Sequence, residues 1–103
     1  MTVEKEVLMG EVSANAATPT VMYRLPPGIT RVDVTYPSGT TATLTPKTTQ
    51  APQNTANLAP IYADGEEVSI TGTDAFEVRG PGWLCFIVAS FSGSSPISIF
   101  GSR

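Results

Sequence analysis

Apolar and polar residues alternate with a period of two along much of the chain. The segment Ile29–Tyr36 places Val32 and Val34 on one side and the charged residues Arg31 and Asp33 on the other. This alternation is typical of a strand that has one buried face. Thr, Ser, Gly, Pro and β-branched residues recur so densely that no helical period of about 3.6 persists along the chain. The pattern therefore predicts an all-β fold.

The same pattern predicts about seven or eight short strands, with turn signals roughly every ten residues. Nine segments have strand character, and about seven or eight of them are expected to form strands: Lys5–Val12, Val21–Leu25, Ile29–Tyr36, Thr40–Thr45, Ile61–Ala63, Val68–Thr71, Ala75–Arg79, Trp83–Phe91 and Ile97–Phe100. Because short turns join neighbouring strands, we expect antiparallel pairing. Such a series is typical of an antiparallel β-sandwich or a jelly-roll-like small barrel. A chain of 103 residues has the size of one domain, so we expect a single β domain over residues 1–103.

Proline and glycine clusters separate the predicted strands. We expect Pro26-Pro27-Gly28 to end one strand and Gly80-Pro81-Gly82 to form a turn. Tyr36–Thr40 has the composition of a tight turn and predicts a hairpin between the strands on either side of it. Asp64-Gly65 predicts a second hairpin. The segment Pro46–Pro60 contains three prolines and almost no large apolar residue, which predicts a long loop over about 46–60.

Charge is sparse along the chain. Charged residues make up 15% of it, against about 25% in an average soluble domain, and the net charge is -3. The six basic residues are spread singly, so they form no basic patch for the phosphates of a nucleic acid. The longest apolar run, Trp83–Ala89, is far shorter than the roughly 20 residues that cross a bilayer, and the first residues do not resemble a secretory signal. We therefore expect neither a nucleic-acid partner nor a membrane partner.

The residues that usually carry enzyme chemistry are scarce. The chain has no His and one Cys, so the common nucleophile–His arrangements and zinc sites cannot be built. Four carboxylates, Asp64, Glu66, Glu67 and Asp74, lie within eleven residues and could bind calcium or act as an acid and a base. Their spacing matches no calcium loop, and a hairpin turn followed by a solvated strand edge explains them more simply. We therefore expect no enzyme activity, no metal and no cofactor.

The segment from residue 83 to residue 89 is apolar on both faces. One face carries Trp83, Cys85, Ile87 and Ala89, and the other carries Leu84, Phe86 and Val88. A sandwich of this size covers one face of a strand, so the other face needs a cover, either a neighbouring subunit or another part of the chain. The residues predicted for an interface with another protein molecule are Trp83, Leu84, Phe86, Val88 and Phe91. Cys85 is expected to be a small buried hydrophobe rather than a nucleophile.

Sparse charge and threonine-rich strands also indicate association, because isolated β proteins usually protect their edges with charges. We therefore expect a homo-oligomer, with a trimer as the preferred closed ring. An exposed aromatic row would instead indicate sugar stacking. The candidates for it are Tyr23, Tyr36, Tyr62 and Trp83, which do not cluster in the sequence. A core or subunit-interface role is therefore favoured for Trp83.

The segment Val68–Leu84 resembles the endings of small virion proteins of tailed bacteriophages. It has a strand, a glycine, small polar residues, a second strand and Gly80-Pro81-Gly82. The resemblance implies a head decoration or cement protein that is made in the host cytoplasm without a signal peptide. It also implies a β-rich trimer in the virion, bound to the major capsid protein or another virion protein. The alternative is a carbohydrate- or receptor-binding β module of a phage tail or fibre.

Overall fold

The computed structural model describes residues 7–13, 22–50 and 58–102, which form eight strands and no helix. The strands are β1 (Val7–Val12), β2 (Met22–Thr35), β3 (Thr41–Thr49), β4 (Ala59–Pro60), β5 (Tyr62–Ala63), β6 (Glu66–Glu67), β7 (Asp74–Ser92) and β8 (Ile97–Ser102). Six of them form one curled sheet in the order β1-β8-β2-β7-β3-β4, and β5 pairs with β6. All of these pairings are antiparallel. The predicted all-β antiparallel fold is confirmed.

The long strand β7 folds back on itself. Phe76 and Phe86 lie ten residues apart in it, and an extended strand would separate them by about 33 Å. Their ring centroids are 6.2 Å apart instead, in an edge-to-face contact. Residues 74–85 of β7 pair with β2 and residues 83–92 pair with β3. The single curled sheet therefore provides both layers of a β-sandwich, the first containing β1 and β8 and the second containing β3 and β4.

The fold-back lies where two irregular segments face each other. Leu25 and Gly28 of β2 pair with Gly82 and Gly80 of β7, and the register shifts between them. A side chain on Gly80 would collide with the carbonyl oxygen of Pro26, so only glycine fits there. The predictions of a strand end at residues 26–28 and a turn at residues 80–82 are both wrong. Both strands contain proline at this place, and proline has no N–H to donate. The ladder of backbone hydrogen bonds between β2 and β7 is therefore interrupted here and resumes beyond it.

The turn after β2 forms as predicted, but it does not close a hairpin. The N–H of Thr40 donates to the carbonyl of Pro37 over 3.2 Å, and Gly39 has a φ of 85°. However, β2 and β3 each pair with β7 and not with each other, so the predicted hairpin is wrong. The turn instead crosses between layers, where the Tyr36 hydroxyl lies 2.9 Å from the Ala42 carbonyl oxygen and 2.8 Å from that of Ile70.

The predicted loop over residues 46–60 is wrong at both of its ends. β3 continues through Pro46, which is fully buried, to Thr49. Ala59 and Pro60 then pair with β3 as β4. Residues 51–57 lie outside the described residues. β3 extends further than predicted because backbone partners on β7 and β4 continue beyond the proline.

The short elements beyond β4 follow the sequence pattern more closely. Asp64 and Gly65 have φ values of 53° and 81° and join β5 to β6, which confirms the predicted hairpin. The predicted strand over residues 68–71 is reduced to one bridge, in which Ile70 exchanges two backbone hydrogen bonds of 2.8 Å with Leu44. Of the predicted strand starts, Lys5 and Val21 lie outside the described residues.

The core fills the space between the two layers. Phe86 lies at its centre, where it meets the ring of Phe76 and, at 6.3 Å, the ring of Tyr23. The Tyr23 hydroxyl occupies the space that a side chain on Gly10 would need, so β1 packs directly against this ring. The buried members of the core are Val12, Tyr23, Leu25, Val32, Val34, Ala42, Leu44, Ile61, Val68, Ile70, Phe76, Val78, Leu84, Phe86, Val88, Ile97 and Ile99.

The bend predicts that Gly80→Ala destabilises the protein. A methyl group cannot be accommodated beside the Pro26 carbonyl without moving backbone, so we expect a loss of about 1–3 kcal/mol in the free energy of unfolding. Gly72→Ala is the matched control, because no atom lies within 4 Å of its added methyl. Urea unfolding followed by Trp83 fluorescence measures both variants. Equal midpoints for the two variants would contradict this account of the bend.

The two core tyrosines predict opposite effects of removing a hydroxyl. Tyr36→Phe loses the hydrogen bond to the backbone carbonyls and is expected to cost about 0.5–1.5 kcal/mol. Tyr23→Phe removes a buried hydroxyl that has no hydrogen-bond partner among the described residues, so we expect unchanged or greater stability at neutral pH. Urea unfolding of the two variants beside the wild type tests this contrast.

Removal of the Tyr23 hydroxyl also changes how the stability of the protein responds to alkali. Burial, with a smaller contribution from Glu11, raises the pKa of Tyr23 from 10.0 to about 12. The folded state therefore holds this proton more tightly, so its contribution is complete below pH 10 and is lost as the pH rises through 12. Two pKa units correspond to about 3 kcal/mol. Tyr23→Phe should consequently lose less unfolding free energy than the wild type between pH 10 and pH 12, and parallel losses would refute this role of Tyr23.

Candidate functional site

The outward side of the second layer carries little charge. Thr43, Thr45, Trp83, Ile87 and Ala89 project outward from β3 and β7, and we call these five residues the neutral face. Cross-strand register places Thr45 beside Ile87 and Thr43 beside Ala89. All but Ala89 are partly exposed, and Ala89 is exposed. The neutral face is therefore an accessible sheet surface of methyl, hydroxyl and aromatic groups.

Two basic residues lie on the same side of the sheet as the neutral face: Lys47, two residues after Thr45 on β3, and Arg24, opposite Trp83 on β2. The ammonium of Lys47 lies 2.6 Å from a carboxylate oxygen of Glu67, which neutralises it. Arg24 is exposed and pairs in register with Trp83. A protein that covers the neutral face would thus bury few uncompensated charges, which is favourable because an unpaired charge is costly to desolvate.

Cys85 lies on the same side of β7 but is fully buried. Burial raises the pKa of the Cys85 thiol, and the positive charge of Lys47 offsets part of this rise. Its sulfur lies 3.5 Å from the Lys47 carbonyl oxygen. The thiol is therefore mainly protonated at neutral pH and inaccessible, as predicted for a small buried hydrophobe.

The residues predicted for an interface do not form one surface. Leu84, Phe86 and Val88 are 0%, 1% and 3% exposed, because the other layer of the same chain covers them. These three are thus core residues, and no second molecule is needed to cover them. Trp83 and Phe91 keep partial exposure, but Phe91 packs against the edge of the core whereas Trp83 belongs to the neutral face.

The outward side of the first layer is charged. Arg31 and Asp33 project from β2, Glu77 and Arg79 project from β7, and we call these four residues the charged face. The Nε of Arg31 lies 3.2 Å from a carboxylate oxygen of Asp33. Register places Arg31 directly opposite Glu77, yet neither of the two ion pairs among the described residues includes Glu77. A concavity of about 470 Å³ lies at this position, lined by Arg31, Ala75, Phe76 and Glu77.

The four carboxylates that were candidates for a metal or acid–base site are divided among different elements, and two of them have partners outside this set. Asp64 lies in the β5–β6 turn, Glu66 and Glu67 form β6, and Glu67 binds Lys47. Asp74 begins β7, where its carboxylate accepts a 2.8 Å hydrogen bond from the N–H of Ala75. Within residues 7–13, 22–50 and 58–102, no three His, Cys, Asp or Glu side chains are placed to hold a metal ion.

The aromatic candidates are dispersed through the molecule. Tyr23 and Tyr36 belong to the core and its edge, Trp83 is partly exposed on the neutral face, and Tyr62 is 64% exposed on β5. The pairing of Arg31 with Glu77 was missed by sequence reasoning. Alternation indicated that both point outward, but it contains no information on which strands become neighbours.

In the part of the chain that the structure describes, no helix is long and apolar enough to cross a membrane. Comparisons with protein-family models, with curated proteins and with solved structures found no match for this chain.

Proposed function

We propose that this chain is a non-enzymatic structural protein of a phage virion, which stabilises the capsid as a head decoration or cement protein. The observation that carries the proposal is the neutral face, an accessible sheet surface on which the neighbouring ammonium of Lys47 is already paired with Glu67. The resemblance of residues 68–84 to virion proteins supports the same assignment. Synthesis in the host cytoplasm and a small homo-oligomer, with the trimer preferred, are parts of this proposal.

The chemistry of the neutral face suits permanent contact with another protein. Threonine methyl groups and Ile87 supply apolar area, threonine hydroxyls can bond across an interface, and Trp83 is a residue type enriched in interface centres. The raised pKa values among the described residues belong to Tyr23, Tyr36 and Cys85, which lie in or against the core. Catalytic sites usually place perturbed groups in a cleft, so this distribution favours a structural role.

In the proposed mechanism, the neutral face docks on capsid subunits and its apolar area leaves water. The binding free energy of one such face is limited by the cost of immobilising the chain. An oligomer that presents several copies gains avidity because later contacts become intramolecular. Several weak contacts would then hold neighbouring capsid subunits together.

Placing a charge on the neutral face tests the proposal. Thr45→Lys is expected to fold normally, because this side chain is partly exposed, but to be lost from purified virions of the phage that encodes the chain. An unpaired ammonium buried against a capsid subunit would oppose docking. The measurement is quantitative mass spectrometry of virions assembled with the wild type or the variant, and we expect at least about a tenfold reduction in copy number.

Ser69→Lys is the matched control, since Ser69 is exposed and lies outside the neutral face. It should be incorporated at the level of the wild type. Absence of the wild-type chain from purified virions would refute the proposed function. Equal incorporation of Thr45→Lys and the wild type would refute the neutral face as the docking surface.

A second candidate function, saccharide or receptor binding by a tail or fibre module, is favoured by Tyr62. Its ring is 64% exposed, and Glu67 is its cross-strand partner on the hairpin. An exposed ring beside a carboxylate is suited to stacking against a sugar and accepting its hydroxyl hydrogens. A glycan array probed with the purified chain should then show binding that Tyr62→Ala abolishes, whereas Thr45→Lys leaves it unchanged. An array without signal would eliminate this candidate.

A further inference from the structure

The ion pairing of the charged face is incomplete within one copy of the chain. Arg31 and Glu77 are register partners on adjacent antiparallel strands, where side chains share a face and Cβ atoms lie about 5 Å apart. Opposite charges in such positions commonly pair. Here the guanidinium turns along its own strand to Asp33, and the carboxylate of Glu77 stays outside both ion pairs of the described residues.

The register between β2 and β7 allows two copies of the charged face to meet around a two-fold axis. A two-fold axis that runs parallel to the strands, midway between β2 and β7, exchanges the two strands. It therefore lays Arg31 of one copy over Glu77 of a second copy, and Glu77 of the first over Arg31 of the second. Two equivalent ion pairs form at once, as an isologous interface requires. Each Arg31 still has guanidinium N–H groups beyond the Nε that faces Asp33.

We propose that the charged face is a two-fold interface between two copies of this chain. The proposal rests on the homo-oligomer included in the proposed function, and it makes a two-fold pair, rather than the preferred trimer, the unit that this contact would build. The concavity of about 470 Å³ beside Arg31 and Glu77 provides room for the facing side chains of the second copy. Ile29, 50% exposed, is the register partner of Arg79, so the axis lays it over Arg79 of the second copy, where it would cover the alkyl part of that side chain.

The balance of charge favours a second copy over other occupants. Two arginines and two carboxylates make the charged face neutral overall, with its positive and negative groups alternating along each strand. A polyanion such as a nucleic acid would be attracted by one half and repelled by the other. Rotation about the axis instead brings opposite charges together at both Arg31–Glu77 contacts, and it lays Asp33 opposite Ala75 and Arg79 opposite Ile29, so no like charges meet.

Charge reversal with mixing tests the interface. Arg31→Glu alone juxtaposes carboxylates in both symmetric contacts, and Glu77→Arg alone juxtaposes guanidinium groups. Each variant should therefore self-associate at least about 100-fold more weakly than the wild type. An equimolar mixture should associate again, because opposite charges then face each other in both contacts. Sedimentation equilibrium at micromolar concentration measures all three samples, and circular dichroism verifies that each variant is folded.

Glu66→Arg is the matched control, because it makes the same charge change on the exposed hairpin strand β6. Its association should equal that of the wild type. A wild-type chain that associates regardless of both reversals, or variants that stay apart on mixing, would refute the two-fold contact while leaving the homo-oligomer intact. A strictly monomeric wild type would refute both. The incorporation of Thr45→Lys into virions is measured separately and tests docking on the capsid. The docking proposal can therefore be refuted while the two-fold interface is confirmed.

Discussion

The fold depends on one contact inside a single strand, the meeting of Phe76 with Phe86 across the bend in β7. The bend exists because glycine at residue 80 allows the backbone of Pro26 to approach without a side chain between them. On either side of the bend, β7 pairs with a different strand: its first part pairs with β2 and its second part pairs with β3. Both layers and the core between them follow from this arrangement.

The bend also separates two kinds of surface on a small body. Because both layers share β7, the outward side chains of its two parts face opposite directions. Glu77 and Arg79 thus project on the charged face, whereas Trp83 and Ile87 project on the neutral face. One side has the pattern for contact with a copy of itself, and the other has the composition for contact with a different protein. A capsid-binding oligomer needs both kinds of contact.

Patterns among adjacent residues correctly predicted the structural features that depend on adjacent residues alone. Alternation identified Val32 and Val34 as inward-facing, and the Asp64-Gly65 pair identified its hairpin, because side-chain direction and turn conformation depend on adjacent residues. Glycine and proline near residue 80 were interpreted as a turn, since a bulge inside a strand has the same composition. Leu84 was assigned to an interface, but the first layer of the same chain covers it. Register between distant strands, and hence the charged face, is not encoded in any local pattern.

The outermost strand on one side, β4, ends in a proline that pairs with Lys47. Proline has no N–H to offer a further strand, so a chain that tried to extend the sheet there would find a donor missing. Fibril-like growth by edge addition is therefore discouraged at this border. Such a stop would favour solubility at high concentration, and contacts with other molecules would be directed to the broad sides of the sheets.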